Sequence, residues 1–379
     1  MYYYNDIEHI IILYDSSKGD AKNEAYCPLT TIAAVKQAKL QDLGTRDDEY
    51  RMIIQSLREQ LCELGQVHPA QYALIFMQGS GTFGVESVLT STIRQDEHVL
   101  ILANGAYGNR MAQICETAHV PFTLKNYPMD KALPLDEVKE QIADPRYTHV
   151  AYVHCETTAG VMNDLYRIQE CIRSYHKISI VDAMSSFGSV PIAIADAGID
   201  YLITSANKCL HGVPGVAIIF ARKAHLDTCQ HCAVSLSLDL YEQYRSMEET
   251  QGAFRFTSPT HVMLALQEAL TTLITNGGIP ARRKRYMHVQ KELHDSMTKY
   301  GFHTLVEPGV QSCVITTYLC PKGFDFTHFY NFFKAHGFLL YAGKLPGIDA
   351  FRIGNIGEIS DADILHFKKV LRMYMEENR

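Results

Sequence analysis

Lys208 stands where the apolar run "IDYLITS" gives way to the glycine-proline loop "HGVPG", and Asp182 ends the apolar run "ISIV" one strand earlier. A carboxylate in an apolar surround is costly unless a cation or hydrogen-bond donor meets it. An amine at the same edge is either a solvated loop cation or a nucleophile toward carbonyl carbon. Three more strand ends carry groups of the same kind. "GSGT" (79–82) precedes a helical pattern, so its backbone N–H groups and the hydroxyls of Ser80 and Thr82 can reach a phosphate, or simply turn the chain. "GAYG" (105–108) projects Tyr107, a ring platform or a packing residue. "ETTAG" (156–160) carries the hydroxyls of Thr157 and Thr158, which can touch a ligand or cap the next helix. Taken together, these residues match what pyridoxal phosphate demands: an amine for the Schiff base, a carboxylate that keeps the pyridine nitrogen protonated, a phosphate cup and a stacking ring. A lone lysine would be read as solvated; with four other cofactor elements at successive strand ends the cofactor reading prevails.

Positioning them requires strands whose ends meet at one rim. Between about residues 70 and 222 the runs "ALIFMQ", "HVLILAN", "HVAYVHC", "ISIVDAM", "DYLITSA" and "VAIIFAR" alternate with helical patterns such as "GNRMAQICETA" and "DLYRIQECIRSYHK". Apolar at nearly every position, they read as strands buried on both faces of a mostly parallel sheet flanked by helices, an α/β domain. In such sheets ligands sit beyond the carboxyl ends of the strands. A long helical segment over 281–299 then leads to "SCVITTYL", "DFTHFYNFFKAHG", "FLLYAG", "FRIGNI" and "DADILHFKKVLRMYME", a smaller α+β domain. The expected organisation is an N-terminal segment 1–27 without an assigned role, a large domain 28–274 and a small C-terminal domain 275–379.

Composition bounds the rest. The 379 residues, 47% hydrophobic, suffice for one large core and a smaller one. A formal charge of −7 is spread evenly, with "ARRKRY" the only dense basic run, which argues against a nucleic-acid partner. No apolar run approaches the ~20 residues of a membrane span, and "MYYYNDIEHI" lacks the features of a secretory leader, so the expectation is a cytoplasmic protein without a membrane partner. The ten cysteines have no framework spacing and read as reduced thiols. "CQHC" (229–232) lacks a second pair to close a tetrahedral site, so its cysteines are read as ordinary helix-surface thiols and no metal is expected.

From about residue 28 onward the sequence resembles fold-type I pyridoxal-phosphate enzymes, and within their class V branch the family of 2-aminoethylphosphonate:pyruvate aminotransferases. The resemblance rests on "DLGTRDDEY", "LIFMQGSGTFGVESVL", "NGAYGNRM", "HCETTAGVMN", "IVDAMSSFG", "DYLITSANKCLHGVPG", "SLSLDLY", "FRFTSPTH" and "FRIGNIGE". It implies a fold-type I architecture with a seven-stranded sheet and a smaller α+β domain. It implies Lys208 as the Schiff-base lysine, Asp182 as the partner of the pyridine nitrogen, Ser80, Gly81 and Thr82 in the phosphate cup, Tyr107 as the stacking ring and Thr157 among the cofactor contacts. Thr257 of "FTSP" matches a threonine that reaches the neighbouring subunit's phosphate, which implies a homodimer with shared sites; Arg352 of "FRIGN" matches an arginine that holds the substrate's anionic end. The implied substrates are a small amine and a 2-oxo acid. Where the family has a "TPGP" turn this chain reads "AYCPLTT", with Cys27 in place of the glycine. An alanine:glyoxylate or serine:pyruvate aminotransferase of the same branch is the alternative. A non-catalytic metabolite-binding α/β protein is a more distant one, since it would need no lysine beside a buried aspartate. A cysteine desulfurase is disfavoured by the lack of a cysteine in a glycine-rich loop; Cys209 reads as packing.

Overall fold

The computed structural model describes residues 30–345 and 347–378; Cys27 and the rest of the N-terminal segment lie outside the described residues. In chain order the strands of the first half are β1 (Tyr72–Gln78), β2 (Val99–Ala103), β3 (Phe122–Asn126), β4 (His149–Val153), β5 (Cys155–Glu156), β6 (Val161–Met162), β7 (Ile178–Asp182), β8 (Tyr201–Ser205) and β9 (Val216–Arg222). Seven of them form one sheet in the order β1-β9-β8-β7-β4-β2-β3. β9 runs antiparallel to both β1 and β8, and the remaining pairs are parallel. The mostly parallel seven-stranded sheet is therefore present, and its central strands β2, β4 and β8 are buried at every position. That burial is why they read as unbroken apolar runs. β3 was not legible as a strand: it sits at the sheet edge, partly exposed, with the polar residues of "FTLKN" tolerated there.

Helices cover the sheet and fix where the loops begin. The helix Ala106–Thr117 buries Gly108, Met111, Ala112 and Cys115, the i, i+3, i+4, i+7 spacing of one helical face. Gly108 lets it lie close to β2, since a Cβ there would stand 2.6 Å from the Ala103 Cβ. The result is a short, tight passage from β2 to the helix, and Tyr107 is held at the rim.

The second half supplies β10 (Ile315–Leu319), β11 (Tyr341–Leu345) and β12 (Ile348–Gly354), an antiparallel sheet ordered β10-β12-β11. It packs with the helices Gly278–Lys299, Phe326–Ala335 and Asp361–Glu377 around an aromatic cluster that includes Phe302, Phe329, Phe333 and Phe351. Phe329 and Phe333 pack at a tilt of 43° with ring centroids 4.4 Å apart. Each such ring contributes ~1.5–3 kcal/mol on burial, so this unit has a core of its own. It is pinned to the strand-end loop after β5 by three bonds: Ser312 N–H to the Gly160 carbonyl (2.8 Å), Thr317 Oγ1–H to the Ala159 carbonyl (2.7 Å) and Gln311 Nε2–H to Gly160 (3.2 Å). Thr317 pairs in register with Arg352, so the same clamp carries Arg352 to the rim of the large sheet. Among the described residues no helix is long and apolar enough to cross a membrane.

Candidate active site

A cavity of about 330 Å³ opens at the carboxyl ends of the parallel strands, and its lining includes Ser80, Gly81, Thr82, Tyr107, Thr157, Asp182 and Lys208. Seven of the ten site residues singled out in the sequence thus meet in one space. Thr158, Thr257 and Arg352 do not line it. Thr257 is exposed. Arg352 stands beside the cavity, with Nη1 donating to the Thr157 carbonyl at 3.0 Å and Nη2 to the Ala342 carbonyl at 3.2 Å; its Nε–H is buried without a partner. Its fork is therefore partly engaged with backbone.

Asp182 ends β7 with 5% of its surface exposed, and no ion pair meets it among the described residues. The Met184 N–H donates to its Oδ1 at 2.8 Å. Burial pushes its carboxyl up to about 7, the nearby Glu156 adds to the rise, and the Met184 N–H, Arg110 and Lys208 oppose it. Such a group asks for a cation inside the cavity. At the other end of the cavity, Ser80 precedes the helix Gly81–Ser91 without making a side-chain capping bond, so its hydroxyl is not spent on the helix. Gly81 gives the cavity its width there: a Cβ would stand 2.4 Å from the Met184 Sδ. Cys209, next to Lys208, is fully buried and donates its thiol to the Ser185 carbonyl at 3.4 Å, as a packing residue does.

Two residues of the site escaped sequence reasoning. Arg110 lines the cavity, with its guanidinium 5.1 Å from the Tyr107 ring centroid and Nη1 3.4 Å from Thr82 Oγ1. The i, i+3 spacing of tyrosine and arginine in "YGNR" was the available signal. Glu156 is fully buried, and its carboxylate accepts from the Tyr107, Gly108 and Thr158 N–H groups and from the Thr158 hydroxyl, at 2.6–3.4 Å. Burial raises its pKa against those four donors. Glu156 thereby ties β5 to the start of the helix that carries Tyr107.

Thr158 differs from expectation. Its hydroxyl accepts from the Ala106 N–H at 3.0 Å, so it serves a helix that precedes it in the chain. The next helix, Leu165–Ser174, is capped by Asp164 instead.

The residues present fit pyridoxal phosphate: an unpaired buried carboxylate for the ring nitrogen, the Ser80 and Thr82 hydroxyls at a helix N-terminus for the phosphate, a rim tyrosine and one lysine among the lining residues. Comparison with known proteins agrees. The family model described as "Aminotransferase class-V" matches residues 34–344. A protein of Bacteroides fragilis named 2-aminoethylphosphonate--pyruvate transaminase is 43% identical over 348 residues, covering 91% of this chain and 96% of the relative. A protein of Clostridioides difficile named bifunctional phosphonoacetaldehyde hydrolase/aminoethylphosphonate transaminase is 42% identical, covering 92% of this chain and 55% of the relative. In three dimensions the chain resembles the pyridoxamine-pyruvate aminotransferase of Mesorhizobium loti, with a TM-score of 0.85 at 20% identity over 96% of this chain and 94% of that one, a likeness of fold. With a family match over most of its length and relatives of this identity, the chain belongs to the class-V aminotransferases, enzymes of fold type I that work with pyridoxal phosphate.

Proposed function

We propose that this aminotransferase moves the amino group of 2-aminoethylphosphonate to pyruvate, giving phosphonoacetaldehyde and L-alanine. The observation that carries this reading is the 43% identity, over nearly the whole of both chains, to a relative named for that reaction. The Clostridioides difficile relative adds chemical sense, because its name joins the transaminase to a phosphonoacetaldehyde hydrolase, which would consume the aldehyde.

Pyridoxal phosphate, when bound, supplies an aldehyde for amine exchange and a protonated ring that accepts the electron pair left on the substrate carbon. The residues around it divide the remaining work. Lys208 would hold the cofactor through its Nζ, and its amine, when free, would carry the proton taken from the amine-bearing carbon of the substrate, and return one in the opposite half of the exchange. Asp182 keeps the ring nitrogen protonated, and the cation it lacks in the cavity supports that role. Ser80, Gly81 and Thr82 take the phosphate at the helix N-terminus, with Arg110 beside Thr82 adding a fixed positive charge. Tyr107 stacks on the ring, Thr157 contacts the cofactor, and Glu156 fixes the backbone of Tyr107. Arg352 clamps the phosphonate of one substrate and the carboxylate of the other in turn, through the guanidinium donors that Thr157 and Ala342 leave over.

The assembly we propose is a homodimer in which Thr257 completes the partner's phosphate site. Its exposure supports this, as do the exposed apolar neighbours Phe256 (46%) and Leu236 (76%), whose segments are joined by an Arg255 Nη1 bond to the Leu236 carbonyl. The nine cysteines among the described residues are all free, which supports a reducing, cytoplasmic setting.

The test is a donor–acceptor screen on the purified enzyme with added cofactor. The expected result is a kcat/KM for 2-aminoethylphosphonate with pyruvate that exceeds alanine with glyoxylate and serine with pyruvate by about a hundredfold or more, since a site shaped for the longer, tetrahedral phosphonate places the amine of a carboxylate donor out of position. A faster reaction with either alternative pair would overturn the assignment.

A further inference from the structure

We propose that the amino-terminal edge of the large sheet, opposite the cofactor cavity, holds a divalent transition-metal ion, zinc by its donor set, ligated by His149, His225 and Glu97. One ligand atom from each residue lies within 4.8 Å of the others. They come from three places that only the fold brings together: Glu97 precedes β2, His149 opens β4, and His225 follows β9, whose antiparallel course delivers it to this end of the sheet.

Each of the two rings has its Nδ1 against a hydroxyl. The Thr148 hydroxyl lies 2.8 Å from His149 Nδ1 and 3.2 Å from the His98 carbonyl. With that hydroxyl donating to His98, His149 would carry its proton on Nδ1 and offer the lone pair of Nε2 to the ion. That nitrogen belongs to a fully buried side chain and makes no hydrogen bond of good geometry, although the Thr92 backbone stands close to the ring. Buried polar atoms are seldom left so. On the other ring, Nδ1 of His225 lies 2.6 Å from the Tyr201 hydroxyl, and His225 would ligate through Nε2 with Nδ1–H donating to that oxygen. A hydroxyl or carbonyl that fixes one imidazole nitrogen while the other faces a metal is the usual outer arrangement of histidine ligands. The two rings are already packed edge to face, with centroids 5.3 Å apart.

Two imidazoles and one carboxylate, with a water in the fourth position, form a donor set that zinc accepts. Tetrahedral ligands at ~2.1 Å from zinc lie ~3.4 Å from one another, so closure asks for side-chain movements of about 1 Å, which the part-exposed Glu97 and His225 can make. Other groups face the cluster. Arg94 Nη1 lies 3.6 Å from Glu97 Oε1, and its Nη2 is held by the Thr228 carbonyl at 2.8 Å; the ion replaces Arg94 as partner of the carboxylate. Cys229 Sγ lies 3.7 Å from His225 Nδ1, on the side of the ring turned to Tyr201 and away from the nitrogen offered to the ion. Cys229 is also buried and beyond the end of the helix Lys223–Leu226, not on a helix surface as "CQHC" suggested. The cysteine pair that drew attention in the sequence is thus a neighbour of the site.

The test is zinc titrated into the cofactor-loaded, full-length enzyme against a chromophoric chelator. The expected result is one equivalent bound with a Kd below micromolar, weakened at least tenfold in Glu97→Gln and in His225→Gln, with the transamination rate of both variants unchanged. Crystals grown with zinc should give a single anomalous peak among the three side chains at the zinc edge. His149→Gln should abolish binding; should that buried variant fail to fold, Glu97→Gln and His225→Gln still decide. Absence of stoichiometric binding, binding that survives both of those variants, or binding lost only in Cys229→Ser or Cys232→Ser would each overturn the proposal.

Discussion

Replacing Asp182 by asparagine should make the cofactor-free protein more stable at alkaline pH while destroying its activity. The carboxyl of Asp182 is pushed from 3.8 up to about 7, first by burial and then by the charge of Glu156. At 1.36 kcal/mol per unit of pKa, that displacement amounts to about 4 kcal/mol of unfavourable charge burial once the group is ionised. The native-state pKa lies above the unfolded one, so the stability linked to this group is fully present below about pH 4 and is lost as the pH rises through about 7. An asparagine side chain would keep the Met184 N–H bond to its amide oxygen and carry no charge, so the Asp182→Asn variant escapes the loss. Urea denaturation of both proteins, stripped of cofactor, checks this: the stabilities should coincide near pH 4, diverge as the pH rises to about 7, and stay apart above it, with the variant ahead by up to about 4 kcal/mol. Its transamination rate should fall by ~10²–10⁴, the range for removal of a positioned catalytic group. A variant no more stable than wild type at pH 8 would refute the picture of an unpaired buried carboxylate. A rate within twofold of wild type would show that another residue partners the ring nitrogen.

Three further outcomes follow from the same geometry. Gly81→Ala places a Cβ 2.4 Å from the Met184 Sδ and drives that side chain into the cavity; cofactor affinity measured by fluorescence quenching should drop about tenfold, the scale of a ~1–3 kcal/mol overpacking cost, and the double variant Gly81→Ala/Met184→Ala should recover it. Arg352→Lys keeps the charge but loses the fork and the 3.0 Å bond to the Thr157 carbonyl, so kcat/KM should fall by about ten- to a hundredfold, equivalent to ~1.5–3 kcal/mol for a charge-assisted bond. Single-turnover measurements should find that loss in both half-reactions; a loss confined to pyruvate would assign the phosphonate to a different cation. Thr257→Ala should leave the sedimentation coefficient of a dimer unchanged while weakening cofactor retention, and a fully active monomer would contradict the shared site.

What the sequence disclosed and what it hid separate along a physical line. Lys208, Asp182 and the "GSGT" turn were legible because each interrupts a run of residues buried on both faces of the sheet, and a polar residue in that position has few structural reasons to be there. β3 was hidden because an edge strand is excused from that burial. Glu156 stood in the open in "ETTAG", yet its meaning depends on the N–H groups of Tyr107 and Gly108, almost fifty positions earlier, and no local pattern announces such a partner. Thr158 fails for the same reason in reverse: local capping rules point forward along the chain, whereas its hydroxyl serves a helix behind it. The cluster of Glu97, His149 and His225 is the extreme case, since its members share no motif and the local signal nearby, "CQHC", belongs to residues that stand beside it. Chemistry that rests on one residue ending one strand can be read from sequence; chemistry assembled across the sheet waits for the order β7-β4-β2 and the reversal at β9 to be known.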